Sequence, residues 1–323
     1  MTDISVVQGT VVQLCDAVKT EVAKAVKGQD AIVEGLLICL LADGHALLEG
    51  VPGTAKTLMA KALAHSLQCT FRRVQFTPDL MPSDIIGTTV YDMKSAEFFV
   101  KKGPIFSAVL LADEINRTPP KTQAALLQAM EERQVSIDGT DYTLPAPFLV
   151  IATQNPIEYE GTYPLPEAQL DRFLMKLKVD YPSSDEELAM LRLHQQGFDP
   201  HHLTESAIRP VAQADMLANA KAELCTITVE DSVLKYLVDL VAATRAANQS
   251  LLGGSPRATV ALLRCSRVVA AMEGRSFVTP DDIKLVALPV LRHRIILRPE
   301  AELEGMTTDQ LIDGVLAAVP VPR

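Results

Sequence analysis

Two short segments of the sequence carry the residue types needed to bind and cleave a phosphoanhydride. The first, residues 50–57, is Gly-Val-Pro-Gly-Thr-Ala-Lys-Thr. Its two glycines and its proline let the backbone curl so that successive amide groups point at an anion. Lys56 adds a positive charge for the β- and γ-phosphates, and the Thr57 hydroxyl is a ligand for Mg²⁺. The segment predicts a nucleotide-binding loop made of Gly50, Pro52, Gly53, Thr54, Ala55, Lys56 and Thr57.

Ala55 departs from the usual pattern of such a loop, in which a third glycine precedes the lysine. Alanine does not readily adopt a positive φ, so the substitution conflicts with a glycine-like backbone. If residue 55 already belongs to the first turn of the next helix, alanine is the best residue there and the departure costs nothing.

The second segment, residues 108–114, is Ala-Val-Leu-Leu-Ala-Asp-Glu, an apolar strand that ends in two carboxylates. Asp113 at the strand end is placed to hold Mg²⁺ through water, and Glu114 to orient and deprotonate an attacking water. The pair indicates hydrolysis by water. The alternative is that both carboxylates are merely solvated at a strand end.

Asn155 follows a third apolar run, residues 148–153. A short amide at the end of a strand can hydrogen-bond both the γ-phosphate and the lytic water without adding charge. We therefore predict a catalytic role for Asn155; the alternative is a turn residue before Pro156.

The helix that follows the two carboxylates has a predicted start of its own. Thr118 is the expected N-cap and Pro119 the first helical residue, which places Asn116 and Arg117 on the loop before it.

Arg257 is placed where a cation is unfavourable. Ser255, Pro256 and Arg257 are the expected N-cap, first and second residues of a helix over 257–273. The positive end of the helix dipole disfavours a cation there by about 0.3–1 kcal/mol. A bound phosphate would remove that conflict, so Arg257 is predicted to reach the nucleotide; the alternative is an exposed arginine paired with a carboxylate.

Arg172 lies on a short predicted helix over residues 165–173. It could pair with Glu167, or it could be an arginine finger that enters a neighbouring subunit's site. Spacing in the sequence does not separate the two.

These residues require a parallel sheet to bring them together. Short β-type runs alternate with helical ones, which favours an α/β domain with helices on both faces of the sheet and its ligand at the carboxyl ends of the strands. The predicted strands are 45–49, 70–76, 108–112, 148–153 and 173–180, and the predicted helices are 5–27, a helix after Gly28-Gln29-Asp30, 57–67 and 119–133.

Two hairpins interrupt this alternation. Residues 135–137 and 142–144 flank Asp138-Gly139, a strong signal for a two-residue turn. Residues 88–92 and 97–100 flank Lys94-Ser95, a weaker signal. On their own, both are as consistent with plain surface hairpins as with functional ones.

After residue 183 the β-type runs stop, which predicts two domains, 1–183 and 184–323, the second smaller and all-helical. A loose connection is expected over 195–210. The predicted helices of this second domain are 185–196, 212–224, 229–247, 257–273 and 280–291.

Composition limits the classes of ligand and location. A chain of 323 residues with a net charge of −10 and a pI near 5.1 gives little reason to expect nucleic acid as the main ligand. The five scattered cysteines lack a C-x-x-C spacing and predict buried thiols, with no metal site or disulfide. Because no targeting signal and no apolar span is found, we expect a cytoplasmic protein.

Five motifs in this order resemble the MoxR family of AAA+ ATPases over residues 28–294: G-x-P-G-x-A-K-T, L-L-A-D-E-I-N-R, A-T-Q-N-P, L-P-E-A-Q-L-D-R-F and G-S-P-R-A. Ala55 matches that family's own form of the phosphate loop. The resemblance implies the AAA+ fold, an αβα nucleotide domain followed by a helical lid. It also implies a ring, usually hexameric, with ATP and Mg²⁺ at the subunit interfaces.

The resemblance also assigns roles to single residues. It makes Asp113 and Glu114 the Walker B pair and Asn155 sensor 1, and it places Val26 and Gln29 where the family contacts adenine. It makes Arg172 the trans-acting finger, although Arg117 stays open for that role, and Arg257 sensor 2. The two hairpins match inserts that face the central pore of related rings.

The family is similar to chaperone-like remodellers that act on proteins with von Willebrand factor A domains, so a separate client protein is implied. Two other functions compete with this one. A nucleic-acid motor is favoured only by Lys94, Lys101 and Lys102 and is opposed by the acidic balance. A nucleotide-gated binding scaffold with slow hydrolysis is the third possibility.

Overall fold

A computed structural model describes residues 9–156, 161–200, 203, 208–212 and 214–322. The chain divides into two compact units, one formed by Glu21–Pro210 and the other by Met1–Thr20 with Val211–Arg323. The sequence predicted a boundary after residue 183, where the β-type runs end. The division falls later because the helix after residue 183 belongs to the unit formed by Glu21–Pro210.

The unit formed by Glu21–Pro210 alternates strands and helices along the chain. Its elements are α1 (Thr10–Ala25, which begins in the other unit), α2 (Asp30–Leu41), β1 (Ala46–Gly50), α3 (Lys56–Ser66), β2 (Phe71–Gln75), α4 (Pro82–Ile86), β3 (Gly87–Asp92), β4 (Glu97–Lys102), β5 (Val109–Asp113), α5 (Pro120–Glu132), β6 (Gln134–Ile137), β7 (Thr140–Thr143), β8 (Leu149–Gln154), α6 (Glu167–Leu170), β9 (Met175–Val179) and α7 (Ser184–Gln195).

Five of these strands form one parallel sheet in the order β2-β5-β8-β1-β9. The central strands β1, β5 and β8 are almost wholly buried, as the continuous apolar runs in the sequence predicted. Because all five strands are parallel, their carboxyl ends lie along one edge, and the residues that follow β1, β5 and β8 share that edge.

Helices cover both faces of this sheet. Leu47 of β1 belongs to the core cluster that contains Leu126 and Met130 of α5. Gly35 of α2 lies against Leu177 of β9 on the other face, since Leu177 is in register with Leu48 and neighbouring residues of a strand point to opposite sides. The predicted α/β class with a parallel sheet is confirmed.

Both predicted hairpins are present. Strands β6 and β7 pair across Asp138 and Gly139, whose φ values of 49° and 81° suit the two-residue turn that the sequence predicted. Strands β3 and β4 pair from Gly87 with Lys102 to Asp92 with Glu97, two residues longer than predicted on the second strand.

The predicted start of α5 is wrong by one residue. Pro119, with φ −59° and ψ 153°, is the N-cap, and the helix begins at Pro120. A residue that precedes proline is disfavoured in the α region, so the second proline of the pair sets the start. Asn116 and Arg117 lie in a 3₁₀ turn, Ile115–Arg117, rather than in a loop.

The second unit is helical, as predicted, except for one short antiparallel pair that the sequence did not predict, formed by Ser250–Leu252 (β10) and Ile296–Leu297 (β11). Strands of two or three residues leave no periodic signal in a sequence. Two helices near the end of the chain, α12 (Pro299–Leu303) and α13 (Thr308–Ala318), were also not predicted. Its elements are α8 (Ala214–Leu224), α9 (Asp231–Ala246), β10 (Ser250–Leu252), α10 (Pro256–Met272), α11 (Pro280–Leu291), β11 (Ile296–Leu297), α12 (Pro299–Leu303) and α13 (Thr308–Ala318).

Within the described ranges, no helix combines the length and the apolar character that a membrane span requires. The first helix was predicted to start at residue 5; residues 5–8 lie outside the described part, and α1 is described from Thr10. The loose connection expected over 195–210 is described only in part.

Candidate active site

The phosphate loop connects β1 to α3. Gly50 ends β1, and α3 begins at Lys56. A Cβ on Gly50 would lie 2.4 Å from the backbone oxygen of Val179 in β9, so the close approach of the two strands requires glycine here. Gly53 has a φ of 85°, a conformation that glycine adopts readily.

Ala55 is not a residue of the first helical turn. It is the N-cap of α3, with φ 59° and ψ 20°, in the left-handed region that the usual glycine would occupy. The helical alternative is therefore wrong, and the alanine carries backbone strain of about 1–2 kcal/mol. The strain lies directly before Lys56, the residue that faces the phosphates in the predicted site.

Lys56 is held by the loop itself. Its Nζ donates to the carbonyl oxygens of Gly50 and Val51, each at 2.7 Å, and lies 3.4 Å from the Thr54 hydroxyl. Burial lowers the pKa of the Lys56 ammonium, and the charges of Asp113 and Glu114 oppose that shift. The ammonium is thus fixed between the loop and the carboxylates.

Thr153, the residue before the last of β8, connects the two predicted carboxylates. Its hydroxyl donates to Asp113 Oδ1 at 2.6 Å and accepts from the backbone N–H of Glu114 at 2.8 Å. Glu114 has φ 57° and ψ 51°, an uncommon conformation for a glutamate that directs the chain away from the strand. The sequence analysis missed Thr153, because it treated the run 148–153 only as an apolar strand.

Arg73 and Gln75, on the edge strand β2, were also missed. Arg73 donates to Asp113 Oδ2 from Nε at 3.0 Å and from Nη2 at 2.7 Å. Gln75 accepts from Arg73 at 2.7 Å and donates to Glu114 Oε2 at 2.5 Å. The register that aligns Gln75 with Asp113 explains both contacts. An available signal was the alternation of polar residues at the end of a short strand.

A cleft of about 590 Å³ brings most of the predicted residues together. Met190, His194 and Pro200, from α7 and the segment after it, line it as well and were not predicted. The predicted residues that line it are Gly50, Pro52, Gly53, Thr54, Ala55, Lys56, Thr57, Asp113, Glu114 and Asn155.

Val26 and Gln29, expected near the adenine, do not line this cleft. The Val26 side chain is buried, and Gln29 Nε2 donates to the backbone oxygen of Asp180 at 3.1 Å. Gln29 thus ties the segment before α2 to the end of β9. The adenine role of both residues stays a prediction.

Neither of the two candidate fingers lines the cleft. Arg172 Nη2 lies 3.2 Å from Oε2 of Glu131 on α5, so its partner is not Glu167, the one that the sequence suggested. Arg117 Nε lies 3.4 Å from Glu114 Oε2 in its own chain.

Arg257 belongs to the other compact unit. Ser255 is the N-cap of α10 and Pro256 its first residue, as predicted, so Arg257 is the second residue of that helix. Its reach toward the nucleotide stays a prediction.

The donor atoms in the cleft fit a magnesium–nucleotide complex. Thr57 and Asp113 both line it and offer hard oxygen ligands. Among the described residues there is no group of three or more His, Cys, Asp or Glu that could hold a metal ion by itself. Mg²⁺ is usually held by one or two protein oxygens together with substrate phosphates, and Thr57 and Asp113 would supply the protein oxygens of such a set.

Comparison with known families gives two matches along the chain. Residues 45–175 match the ATPase family associated with various cellular activities (AAA), and residues 242–315 match the AAA lid domain. The first match contains the phosphate loop, both carboxylates and Asn155.

Individual relatives cover nearly the whole chain. "Chaperone MoxR1" of Mycobacterium tuberculosis is 43% identical over 94% of this chain and 81% of its own length. "Protein MoxR" of Methylorubrum extorquens is 34% identical, over 94% of this chain and 93% of its own. A crystal structure from Cytophaga hutchinsonii, of a protein described as an ATPase, superposes with a TM-score of 0.89 at 43% identity, over 97% of both chains. With this fold, this cleft and these relatives, the chain belongs to the MoxR family of AAA+ ATPases.

Proposed function

We propose that the protein is a Mg²⁺-dependent ATPase that works as a homo-oligomeric ring, hexameric as in related ATPases, and uses hydrolysis to remodel or mature a client protein. The observation that carries the hydrolytic part is the convergence of Lys56, Thr57, Asp113 and Glu114 on one cleft.

The predicted phosphate, metal and water-binding residues of the cleft have distinct parts in hydrolysis. The loop amides and Lys56 bind the β- and γ-phosphates of ATP. Thr57 and Asp113 would hold Mg²⁺, which neutralises charge on the phosphate oxygens. Glu114 accepts a proton from the attacking water, and Asn155 orients that water against the γ-phosphate.

The proposed ring would complete this site with two arginines. Arg172 is assigned to the neighbouring subunit's site and Arg257 to the nucleotide bound in its own chain. The Arg172 side chain is 29% exposed and pairs with Glu131, which is itself 41% exposed. Exposed ion pairs of this kind are weak, at about 0–1 kcal/mol, so Arg172 is able to leave Glu131 for a phosphate.

The remaining part of the proposal is the client. It would be a protein, with a von Willebrand factor A domain as the family resemblance implies. Two observations support a protein rather than a nucleic acid. The hairpin of β3 and β4 exposes the apolar side chains of Tyr91, Met93 and Phe98. The chain is also acidic, with a net charge of −10.

The test of hydrolysis is the Glu114→Gln variant. Because the amide cannot accept the proton of the water, we expect turnover to fall about 100-fold or more while ATP binding is retained. Glu132→Gln makes the same change at an exposed position on α5 and should behave as the parent. Parental turnover in Glu114→Gln would remove the proposed base.

The client is tested with the same Glu114→Gln variant, which should stay in the ATP-bound state. With ATP and Mg²⁺ it should form rings, seen by light scattering coupled to size exclusion. It should also retain a specific protein that the ADP-bound parent releases. A monomer under these conditions would contradict the ring.

A further inference from the structure

We propose that Arg73 is a positioning residue that competes with Mg²⁺ for the Asp113 carboxylate, so that the metal–nucleotide complex binds by displacing an internal cation. This inference rests on the proposed magnesium site at Asp113.

The contacts of Asp113 leave no carboxylate oxygen without a donor. Oδ1 accepts from the Thr153 hydroxyl, and Oδ2 accepts two N–H groups of Arg73. The Arg73 guanidinium therefore lies on the oxygen that does not face β8. That oxygen is the one left for a metal ion or its bound water, because the Thr153 hydroxyl is buried and fixed by Glu114.

Arg73 is oriented rather than merely near. Its Nη2 also donates to Gln75 Oε1 at 2.7 Å, which fixes the plane of the guanidinium beside Asp113. Arg73 and Gln75 are two residues apart on one strand, so they lie on the same face of the sheet, and Gln75 is in register with Asp113.

Arg73 and Mg²⁺ cannot both interact closely with the Asp113 carboxylate. Two cations within a few ångström of each other repel, and in a partly buried cleft this repulsion is several times stronger than in water. The Asp113 side chain is only 13% exposed, whereas that of Arg73 is 48% exposed. The arginine is thus the more exposed member of the pair and the one that can leave it for solvent when a metal ion binds to Asp113.

Without metal, Arg73 has the opposite effect on the nucleotide. It neutralises Asp113 in the cleft that receives the phosphates, and it lines that cleft itself. Its loss would leave an unpaired carboxylate beside a polyanion. Arg73 is therefore expected to favour nucleotide binding without metal and to oppose metal binding once nucleotide is present.

The test is the Arg73→Gln variant of the full chain, with a fluorescent ADP analogue as the probe. Its affinity is measured first in EDTA and then during a Mg²⁺ titration. We expect the half-saturating Mg²⁺ concentration to fall about three- to ten-fold, which corresponds to the net contribution of one ordinary hydrogen bond. Metal-free affinity should fall about two- to five-fold, because an exposed ion pair is weaker.

Arg72→Gln is the matched control. It removes the same charge from the neighbouring residue of β2, whose side chain points to the other face of the sheet. The metal-free affinity and the half-saturating Mg²⁺ concentration should both stay within about two-fold of the parent, since the Arg72 charge is exposed on the far face of the sheet and is screened by solvent and salt. Arg73→Lys keeps the charge without the guanidinium fork and should lie between Arg73→Gln and the parent.

Arg73→Gln is expected to weaken metal-free binding of the ADP analogue and to strengthen Mg²⁺ binding. These opposite changes separate the inference from a purely structural role of Arg73. If Arg73 only shapes the strand, Arg73→Gln lowers the metal-free affinity and raises the half-saturating Mg²⁺ concentration, or changes neither value. Either result overturns the inference. If the parent itself binds the ADP analogue equally with and without Mg²⁺, the proposed metal dependence fails and the inference with it. That failure appears in the parent alone, so the two outcomes are distinguishable.

Discussion

The hydroxyl of Thr153 is hydrogen-bonded to Asp113 Oδ1 at 2.6 Å and at the same time accepts the backbone N–H of Glu114 at 2.8 Å. One buried side chain of β8 thus fixes both carboxylates at the end of β5. Glu114 is in the left-handed region, where a glutamate needs such support.

We expect Thr153→Val to lower both turnover and stability. Valine keeps the shape but leaves Asp113 Oδ1 and the Glu114 N–H without this partner, which costs about 1–3 kcal/mol in the free energy of unfolding. Because Glu114 is no longer held in place, turnover at saturating ATP should fall about ten- to 100-fold. Steady-state ATPase assays and urea unfolding give the two values.

Two control variants separate these effects. Thr153→Ser keeps the hydroxyl and should retain most of the turnover. Thr122→Val removes another buried hydroxyl, which donates to the backbone oxygen of Leu80 away from the cleft, and should lower stability alone. Full turnover in Thr153→Val would show that the hydroxyl does not position Glu114.

Ala55→Gly should stabilise the protein. Ala55 is strained at φ 59°, and glycine relieves about 1–2 kcal/mol of that strain, partly offset by the greater freedom of glycine in the unfolded chain. We expect a net gain of roughly 0.5–1 kcal/mol in urea unfolding.

Ala218→Gly makes the same change at an exposed position inside α8 and should instead destabilise by about 1 kcal/mol. A loss of stability in Ala55→Gly would contradict the strain at this position.

The sequence was sufficient to predict the strands of the sheet and the site residues that directly follow those strands along the chain. The observed strands β1, β2, β5, β8 and β9 lie within two residues of the predicted ones. The runs of β1, β5 and β8 are short and mainly apolar, and β9 alternates apolar residues with lysines, so both kinds of strand signal are local. The phosphate loop and the pair Asp113 and Glu114 follow β1 and β5 directly, so their predicted meeting at one edge needed only a parallel sheet.

The alternation of polar residues in β2 could have marked Arg73 as a candidate, but its contact with Asp113 could not be predicted, because that contact depends on the order of the strands. The sequence shows that Arg73 and Gln75 share one face of β2, but not that β2 lies beside β5. The prediction that Ala55 lies in the first helical turn failed for a different reason. Alanine is a good helix former, and nothing in the local sequence distinguishes the N-cap position from the first turn. The start of α5 was also mispredicted, because Pro120 keeps the preceding Pro119 out of the helical conformation.

Asp282 should make the second unit sensitive to acid. It lies at the start of α11, and its carboxylate accepts from Arg275 Nη1 at 2.8 Å and from the Thr279 N–H at 2.7 Å. Burial alone raises the pKa of Asp282, but the hydrogen bonds from Arg275 and Thr279 outweigh it and lower the pKa below its ordinary value. The stabilisation is therefore present above about pH 4, near the pKa of an unfolded aspartate, and is lost as the pH falls below it.

We expect Asp282→Asn to lower the free energy of unfolding at pH 7 by roughly 2–3 kcal/mol, because a buried charged partner of Arg275 is lost. The difference from the parent should shrink below about pH 4, where the parent's own carboxylate becomes protonated. Asp281→Asn, at the exposed neighbouring position, is the control. A difference that is constant from pH 7 to pH 3 would exclude titration of Asp282 as its source.

Arg172 should act on the site of the neighbouring subunit. Arg172→Ala alone lacks the finger at every interface, and Lys56→Ala alone cannot hold nucleotide, so each should be nearly inactive. In an equal mixture, about a quarter of the interfaces of a head-to-tail ring join an intact loop to an intact Arg172. We expect ATPase activity to return at those interfaces, to about a quarter of the parental rate.

The same mixture with Arg117→Ala in place of Arg172→Ala distinguishes the two candidate fingers. Arg117 contacts Glu114 of its own chain, so its loss should not be complemented by Lys56→Ala. If the Arg117 mixture recovers and the Arg172 mixture does not, although both form rings by light scattering, Arg117 is the finger. Arg172 then serves only as the ion-pair partner of Glu131.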